Sequence, residues 1–474
     1  MQFDAIIIGA GQAGPPLAGR LTAAGMKVAV VERKLFGGTC VNTGCMPTKT
    51  MVASAYAAHI VRRAADYGIV AGAPGMDMPK VKARADTVSA RARSGIERRL
   101  RNMDGCTVFQ GHARFESPNV VRVDQQPLTA PHVFINVGGR ALIPDMPGVR
   151  EVPYLTNTSI LALEDVPSHL VVIGGSYVGL EFAQMYRRFG ADVTVVEKAP
   201  HLIAREDEDV SDEVRSILER EGIVVRTSAT CIGLAPHERG VAASVDCDEG
   251  PPDAIGSHVL LAVGRRPNTD DLGLDKAGVA TDASGYITVN DDLTTNVSGI
   301  WALGDCNGRG AFTHTAYNDF EIVAANLLDG EHRGVSARVP AYALYIDPPL
   351  GRVGITAAEA RARGRPLLIG KRPMSKVSRA VEKAETLGFM KVVADAATKK
   401  ILGAAILGTG GDEAIHGLLD IVNADVPYEV LQRAVPIHPT VSELIPTLLS
   451  EMKPASSGQG DVLSGPNSNP GGAL

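Results

Sequence analysis

Aromatic side chains are scarce in this chain: they make up 4% of its 474 residues, with one tryptophan among them. That composition argues against an aromatic-lined carbohydrate cleft or a stacking platform for single-stranded nucleic acid. No dense Lys/Arg run appears and the net charge is -6, so the electrostatic footprint of nucleic-acid binding is missing. The short cluster Arg98, Arg99 and Arg101 sits among polar residues and reads as a solvated helix face. No apolar run approaches the roughly 20 residues needed to span a bilayer. The start, Met1-Gln2-Phe3-Asp4, lacks the basic region and long apolar stretch of a signal peptide. A soluble, cytoplasmic protein is expected. Cysteine is rare too. Six in 474 residues are too few for a disulfide framework, and in a reducing compartment a close pair is more often catalytic or metal-binding than structural.

What is present is organised by glycine. The length suggests about three domains. The first segment reads as a strand, Ala5 to Ile8, followed by the turn Gly9-Ala10-Gly11-Gln12-Ala13-Gly14, a helix to about Ala24, and a strand Val28 to Val31 that ends at Glu32. A lone G-x-G-x-x-G carries little weight. Between a strand and a helix, with an acid closing the second strand, it signals a dinucleotide site. Gly9, Gly11 and Gly14 let the backbone approach a pyrophosphate at a helix N-terminus, and Glu32 accepts from a ribose. The plan recurs: a strand Leu170 to Ile173, the turn Gly174-Gly175-Ser176-Tyr177-Val178-Gly179, and a strand Val193 to Val196 ending at Glu197. Gly9 to Glu32 and Gly174 to Glu197 both span 23 positions. Ser176 stands where the first turn has its middle glycine. A third strand-like segment, Gly299 to Gly304, runs into Asp305, which either faces a cofactor at the strand end or caps a helix. From about residue 338 the pattern changes. Phe389 to Ala394 and Ile401 to Leu407 read as strands around a turn, and Ala414 to Ala424 as a helix. Lys453 to Leu474 is rich in Ser, Gly, Pro and Asn and reads as disordered.

Between the first unit and the next helix lie Cys40 and Cys45, spaced C-x4-C. A zinc site would need more Cys or His nearby, and His59 is the nearest histidine. A redox dithiol fits better. Pro47 suits the first turn of a helix, which puts Cys45 at a helix N-terminus, where a thiol pKa falls. Lys49 adds positive charge one turn on. Cys106, Cys231, Cys247 and Cys306 have no such context and read as ordinary free thiols.

The run Gly38-Thr39-Cys40-Val41-Asn42-x-Gly44-Cys45-x-Pro47-x-Lys49 resembles the redox motif of the class I flavoprotein disulfide reductases. That family includes dihydrolipoamide dehydrogenase, glutathione reductase and mercuric reductase. Further segments match in order: Gly174 to Glu181, Ala262 to Asn268, Thr295 to Asp305, and His438-Pro439-Thr440-x-x-Glu443. The resemblance extends to about residue 452. It implies an α/β fold with two Rossmann-like domains, for FAD and NAD(P), plus a C-terminal α+β dimerisation domain. The implied boundaries are 1–150 and 271–337 for the FAD and central parts, 151–270 for NAD(P), 338–452 for dimerisation and 453–474 for the tail.

Residue by residue, the resemblance makes Cys45 the thiolate beside the flavin and Cys40 the interchange thiol that attacks substrate. Lys49 and Glu181 become an ion pair near the flavin, and Tyr177 a gate where the nicotinamide enters. Thr39, Ala113, Gly138, Asp305, Thr313 and His314 join Gly9, Gly11, Gly14, Glu32 and Lys49 around FAD. Gly174, Ser176, Tyr177, Gly179, Glu197 and Gly264 serve the nicotinamide nucleotide. His438, held by Glu443, becomes the general acid–base for thiol exchange, supplied in the family by the second subunit of a homodimer. The implied activity passes electrons from NAD(P)H through FAD to the cysteine pair and on to a disulfide, or runs in reverse as a dihydrolipoamide-type dehydrogenase. Glu197 favours a ribose diol over a 2′-phosphate and so favours NADH, while Lys198 and Arg205 leave NADPH open. The Pro348 to Gly354 segment looks like the mercuric-reductase branch, which keeps Hg(II) or Cu(II) reduction as an alternative. No cysteine follows Cys306, however, and the His438–Glu443 dyad is one that mercuric reductases generally lack. A redox-sensing flavoprotein with slow turnover is a third reading. No resident metal, membrane or nucleic-acid partner is expected.

Overall fold

The computed structural model describes residues 1–246 and 250–455. The run Ala5 to Ile8 is buried throughout, with no polar alternation. Such a segment suits a strand covered on both faces. It forms β1 (Ala5–Ile8), the middle of a five-stranded parallel sheet in the order Ile300–Ala302, His132–Ile135, β1, β2 (Val28–Glu32), β3 (Cys106–Gln110). The helix α1 (Gly14–Ala23) makes the crossover from β1 to β2.

The second unit repeats this arrangement. Its four-stranded parallel sheet runs Val224–Arg226, Asp192–Val196, His169–Ile173, His258–Leu261. Even the register is shared. Ala5 pairs with Val28 in the first unit and Leu170 with Val193 in the second, both 23 residues apart. The α/β class with two such units therefore matches the sequence expectation.

Between β2 and the second unit, the chain forms α2 (Gly38–Asn42), α3 (Cys45–Arg62) and the long α4 (Met78–Arg101), which packs along α3. Arg98, Arg99 and Arg101 lie on the exposed side of α4. In the second unit, α5 (Tyr177–Phe189) follows the glycine turn and α6 (Glu208–Arg220) follows the acid-ended strand.

The C-terminal part is a six-stranded antiparallel sheet in the order Ala341–Leu344, Leu350–Gly354, Ile401–Leu407, Phe389–Asp395, Leu367–Pro373, Lys453–Pro454. Asp395 shapes the expected turn, its carboxylate accepting from the Ala397 and Thr398 amides at 2.9 Å. The expected helix runs Gly411–Asn423. One expectation needs correction: Lys453 and Pro454 are not loose tail but the last strand, paired with Ile369 and Leu368. Backbone pairing along an open sheet edge overrides their polar composition. The rest of the expected tail, from residue 456, lies outside the described residues, as does Cys247.

Candidate functional site

The redox pair is built by a helix break. Cys40 lies in α2 and Cys45 is the first residue of α3. Gly44 joins the two helices, and a Cβ there would meet the Thr39 carbonyl oxygen at 2.9 Å. Pro47, in the first turn of α3, lacks an N–H that the helix would leave unpaired in any case. Cys40 is half-buried and Cys45 exposed.

Three neighbours of Cys45 favour its thiolate. Cys40 donates to its sulfur, the Thr313 hydroxyl lies 3.4 Å from it, and the Lys49 ammonium adds positive charge. Together they outweigh desolvation and the Glu181 charge and hold the thiol down at about 6. Cys40 shifts the other way. Its hydrogen bond to Cys45 and its burial push that thiol well above the ordinary range. One proton is thus shared unequally, with the negative charge on Cys45.

Lys49 donates to Glu181 on α5 at 2.6 Å, and its ammonium lies 4.7 Å from the centre of the Tyr345 ring. The other Glu181 oxygen accepts from the Tyr345 amide at 3.0 Å. This pair ties the cysteine helix to the second nucleotide unit.

Both glycine turns show why glycine is required. Gly9 and Gly174 have φ of 107° and 116°, and added Cβ atoms would meet the Asn136 and Ala262 carbonyl oxygens at 2.2 and 2.5 Å. Cβ atoms on Gly14 and Gly179 would strike the carbonyl oxygens of Gly9 and Gly174 at 2.5 and 2.1 Å. Neither α1 nor α5 has a side-chain cap at its N-terminus. The first amides of α5 are left as open donors, which suits a pyrophosphate, whereas in α1 Gly14 donates to the Gly11 carbonyl at 3.0 Å and Pro15 and Pro16 carry no N–H, so that helix offers its dipole rather than first-turn donors. Glu32 accepts from the Ala10 and Lys34 amides at 3.0 and 2.8 Å. Glu197 accepts from the Gly175 and Ala199 amides at 2.5 and 2.7 Å. Each carboxylate is fixed across its turn, with lone pairs left for a diol.

Other predicted residues lie outside the five strands of the first sheet. Arg265 donates to Gly139 at 2.6 Å and pairs with Asp305 at 3.2 Å. The Thr39 hydroxyl lies 3.5 Å from the same Gly139 oxygen. At Gly138, φ is 63° and a Cβ would point into open space. Gly264, with φ 136°, accepts from the Leu142 amide at 3.0 Å. Ala113 starts an antiparallel strand just after Gly111, whose amide bonds the Glu32 carbonyl at 3.0 Å. The exposed His314 bonds the Ala341 carbonyl at 2.8 Å. Cys306 is fully buried, its thiol facing the Leu303 and Ile135 carbonyls at 3.3 and 3.5 Å, which fits the plain structural reading.

His438 stands apart. Its Nδ1 bonds Glu443 at 2.8 Å, its side chain is 75% exposed, and Val435 and Ile437 beside it are exposed at 97% and 79%. Among the described residues no hydrogen bond joins it to either cysteine of its own chain. This dyad is aimed outward.

Sequence reading missed the aromatic wall. Tyr177 packs against Phe312 and Tyr342, with ring centres 5.5 and 6.0 Å apart, and Phe312 stacks between Tyr342 and His314 at 5.8 and 5.3 Å. In a chain with 4% aromatics, rarity was the available signal, since three of them gather at one site.

The model for the pyridine nucleotide-disulphide oxidoreductases matches residues 3–319, and that for their dimerisation domain matches residues 340–449. The chain belongs to the pyridine nucleotide-disulphide oxidoreductases. It is an FAD-dependent oxidoreductase of that family using a nicotinamide nucleotide, and its dimerisation domain supports a homodimer. It is 32% identical to the probable pyridine nucleotide-disulfide oxidoreductase RclA of Escherichia coli over 95% of this chain and 100% of that protein. A solved RclA structure, described as the Cu(II) complex of an HOCl-induced flavoprotein disulfide reductase, superposes with a TM-score of 0.86 at 31% identity, covering 95% of this chain and 99% of the other. A dihydrolipoyl dehydrogenase of Thermus scotoductus is 32% identical over 93% of this chain and 95% of its own length. A mercuric reductase of Streptomyces lividans is 31% identical, over 94% of each chain. Among the described residues no helix is long and apolar enough to cross a membrane, and no group of three or more His, Cys, Asp or Glu side chains could hold a metal.

Proposed function

We propose that the chain reduces a small-molecule disulfide at the expense of NADH through Cys40 and Cys45. The observation that carries this reading is the polarised pair itself, with a stabilised thiolate at Cys45 between Thr313 and Lys49 and the proton on Cys40. FAD, held by the first glycine turn, Glu32, Thr39, Gly138 and Asp305, supplies the two-electron relay between nicotinamide and cysteines. Lys49 and Glu181 hold the cysteine helix against the flavin site, and Tyr177 stands as the gate on the nicotinamide side.

In the reduced pair, Cys40 gives up its proton to His438 of a second copy and its sulfur attacks the substrate disulfide. The S–S bond breaks, and the departing thiolate takes a proton from His438 of a second copy. The Cys45 thiolate then attacks the sulfur of Cys40, which releases the second half of the substrate as a thiolate, protonated by solvent, and leaves the Cys40–Cys45 disulfide. His438 suits this work because Glu443 orients its ring and leaves Nε2 outward. Glu197, locked by two amides, favours the ribose diol of NADH over the 2′-phosphate of NADPH. The same proposal places the protein in the cytoplasm, where both thiols stay reduced. It divides the chain at residues 150, 270 and 337.

The Cu(II) in the RclA structure favours a second reading, in which the substrate is a soft metal ion delivered as a thiolate. The deciding experiment follows NADH and NADPH oxidation against lipoamide, glutathione disulfide, Cu(II) and Hg(II) with excess thiol. Turnover with a disulfide, faster with NADH, is expected. Turnover with the metals alone would replace the disulfide reading by the metal one.

A further inference from the structure

The loop ahead of α6 carries an anomaly. Glu206 and Arg352 have side chains exposed by 0% and 2%, and the Glu206 Oε2 lies 3.6 Å from the Arg352 Nη1. Neither that oxygen nor either terminal nitrogen of Arg352 has a hydrogen-bond partner among the described residues. A buried ion pair in such loose geometry stabilises less than apolar packing would, so its value must lie elsewhere. The other oxygen of Glu206 accepts from the Tyr342 hydroxyl. Tyr342 sits directly opposite Arg352 in the C-terminal sheet, and its ring lies against Tyr177 and Phe312.

The anchorage continues along the chain. Asp207 accepts from Lys391 at 2.9 Å and from the Ala357 and Ala358 amides at 3.1 and 3.0 Å. The start of α6 is therefore clamped to the C-terminal sheet, and Glu206 is its inward end. The tyrosine hydroxyl is fixed by a carboxylate that cannot drift.

We propose that Tyr342, held by the Glu206–Arg352 pair, is a positioning residue for the nicotinamide gate at Tyr177. The inference rests on the reading of Tyr177 as that gate. The Tyr342 hydroxyl is taken up by Glu206, so its influence runs through the aromatic wall: an anchored ring limits where Tyr177 settles and so how the nicotinamide seats.

The test uses the FAD-loaded dimer with Tyr342→Phe, which keeps the ring and removes the anchor, beside Tyr177→Ala. Calorimetry reads NAD⁺ affinity, stopped-flow absorbance reads flavin reduction by NADH, and iodoacetamide reads Cys45. Loss of one buried hydrogen bond should weaken NAD⁺ about fivefold and slow flavin reduction by about as much, with Cys45 alkylation unchanged. If Tyr342→Phe matches the parent in both while Tyr177→Ala is impaired, the positioning role is wrong and the gate stands. If neither variant is impaired, the gate reading falls and takes the inference with it. Altered alkylation in Tyr342→Phe would mean a general disturbance and would also overturn it.

Discussion

The two glycine turns share a backbone and diverge in their side chains. Gly9 and Gly174 are forced by nearly identical clashes, and Gly14 and Gly179 by the same approach to the first glycine's carbonyl. Four positions differ in residue type, and two of them set the turns apart. Gly11 lies under α2, so closely that a Cβ on Gly38 would reach its Cα at 3.0 Å, whereas Ser176 is exposed. Gln12 is tied inward to the Gly37 carbonyl at 3.0 Å, while its counterpart Tyr177 faces the aromatic wall. Backbone geometry thus makes the two turns alike, and these two positions set how the neighbouring structure meets each of them. The first turn is roofed by the cysteine segment. The second is open and faces the aromatic wall.

Breaking each turn separately should give the largest effects. A valine at Gly9 or Gly174 places a Cβ at 2.2 or 2.5 Å from a carbonyl oxygen, a strain of more than about 4 kcal/mol. Gly9→Val should yield a colourless protein that has lost most of its FAD. Gly174→Val should stay yellow but resist reduction by NADH. Visible absorbance per chain and anaerobic reduction check both, and matched losses in the two variants would erase the distinction between the turns. On the thiol side, His438→Ala should slow disulfide turnover by about 10²–10⁴-fold, with flavin reduction by NADH unchanged in stopped-flow traces.

Smaller effects sharpen the comparison. With its pKa lowered to about 6, Cys45 should be alkylated in the reduced enzyme at a rate that falls only as pH drops through about 6. An ordinary thiol loses its reactivity near 8.5, so at pH 7 Cys45 should hold roughly thirty times the thiolate fraction. Glu197→Ala should cut the ratio of NADH to NADPH kcat/KM about tenfold, equivalent to about 1.4 kcal/mol, whereas Glu32→Ala should leave that ratio alone. The smallest effect belongs to Ser176→Gly, within about 0.5 kcal/mol in denaturant titration. The reciprocal Gly11→Ser should weaken FAD retention, because that site is covered.

Much of the site was legible because its signals are local. A glycine forced by its own turn, an acid ending a strand, and a proline two residues after Cys45 mark their structures within a few positions. The Lys49–Glu181 pair spans 132 residues, and resemblance rather than local pattern pointed to it; the Cys45–Thr313 contact, across 268 residues, was foreseen only so far as both were expected near the flavin. Tyr342, Glu206 and Arg352 carried no signal of that kind. Each is an ordinary residue type in its own segment, and only the packing of the C-terminal sheet against the loop before α6 makes them one unit. Lys453 and Pro454 failed as tail residues for a related reason: strand pairing is supplied by a partner 84 residues away in the chain.

The sequence by itself determined two nucleotide turns, a cysteine pair at a helix start, and the family to which those features belong. Short-range sterics and helix-end electrostatics act within one turn of chain, so they are written in consecutive residues. Tertiary structure alone decided which side chains face one another across the joints. It put the Thr313 hydroxyl beside the Cys45 sulfur, left His438 exposed, and backed Tyr177 with an anchored aromatic wall. Those outcomes depend on distances between elements far apart in the chain, and burial and charge act through distance in space, not through position along the sequence.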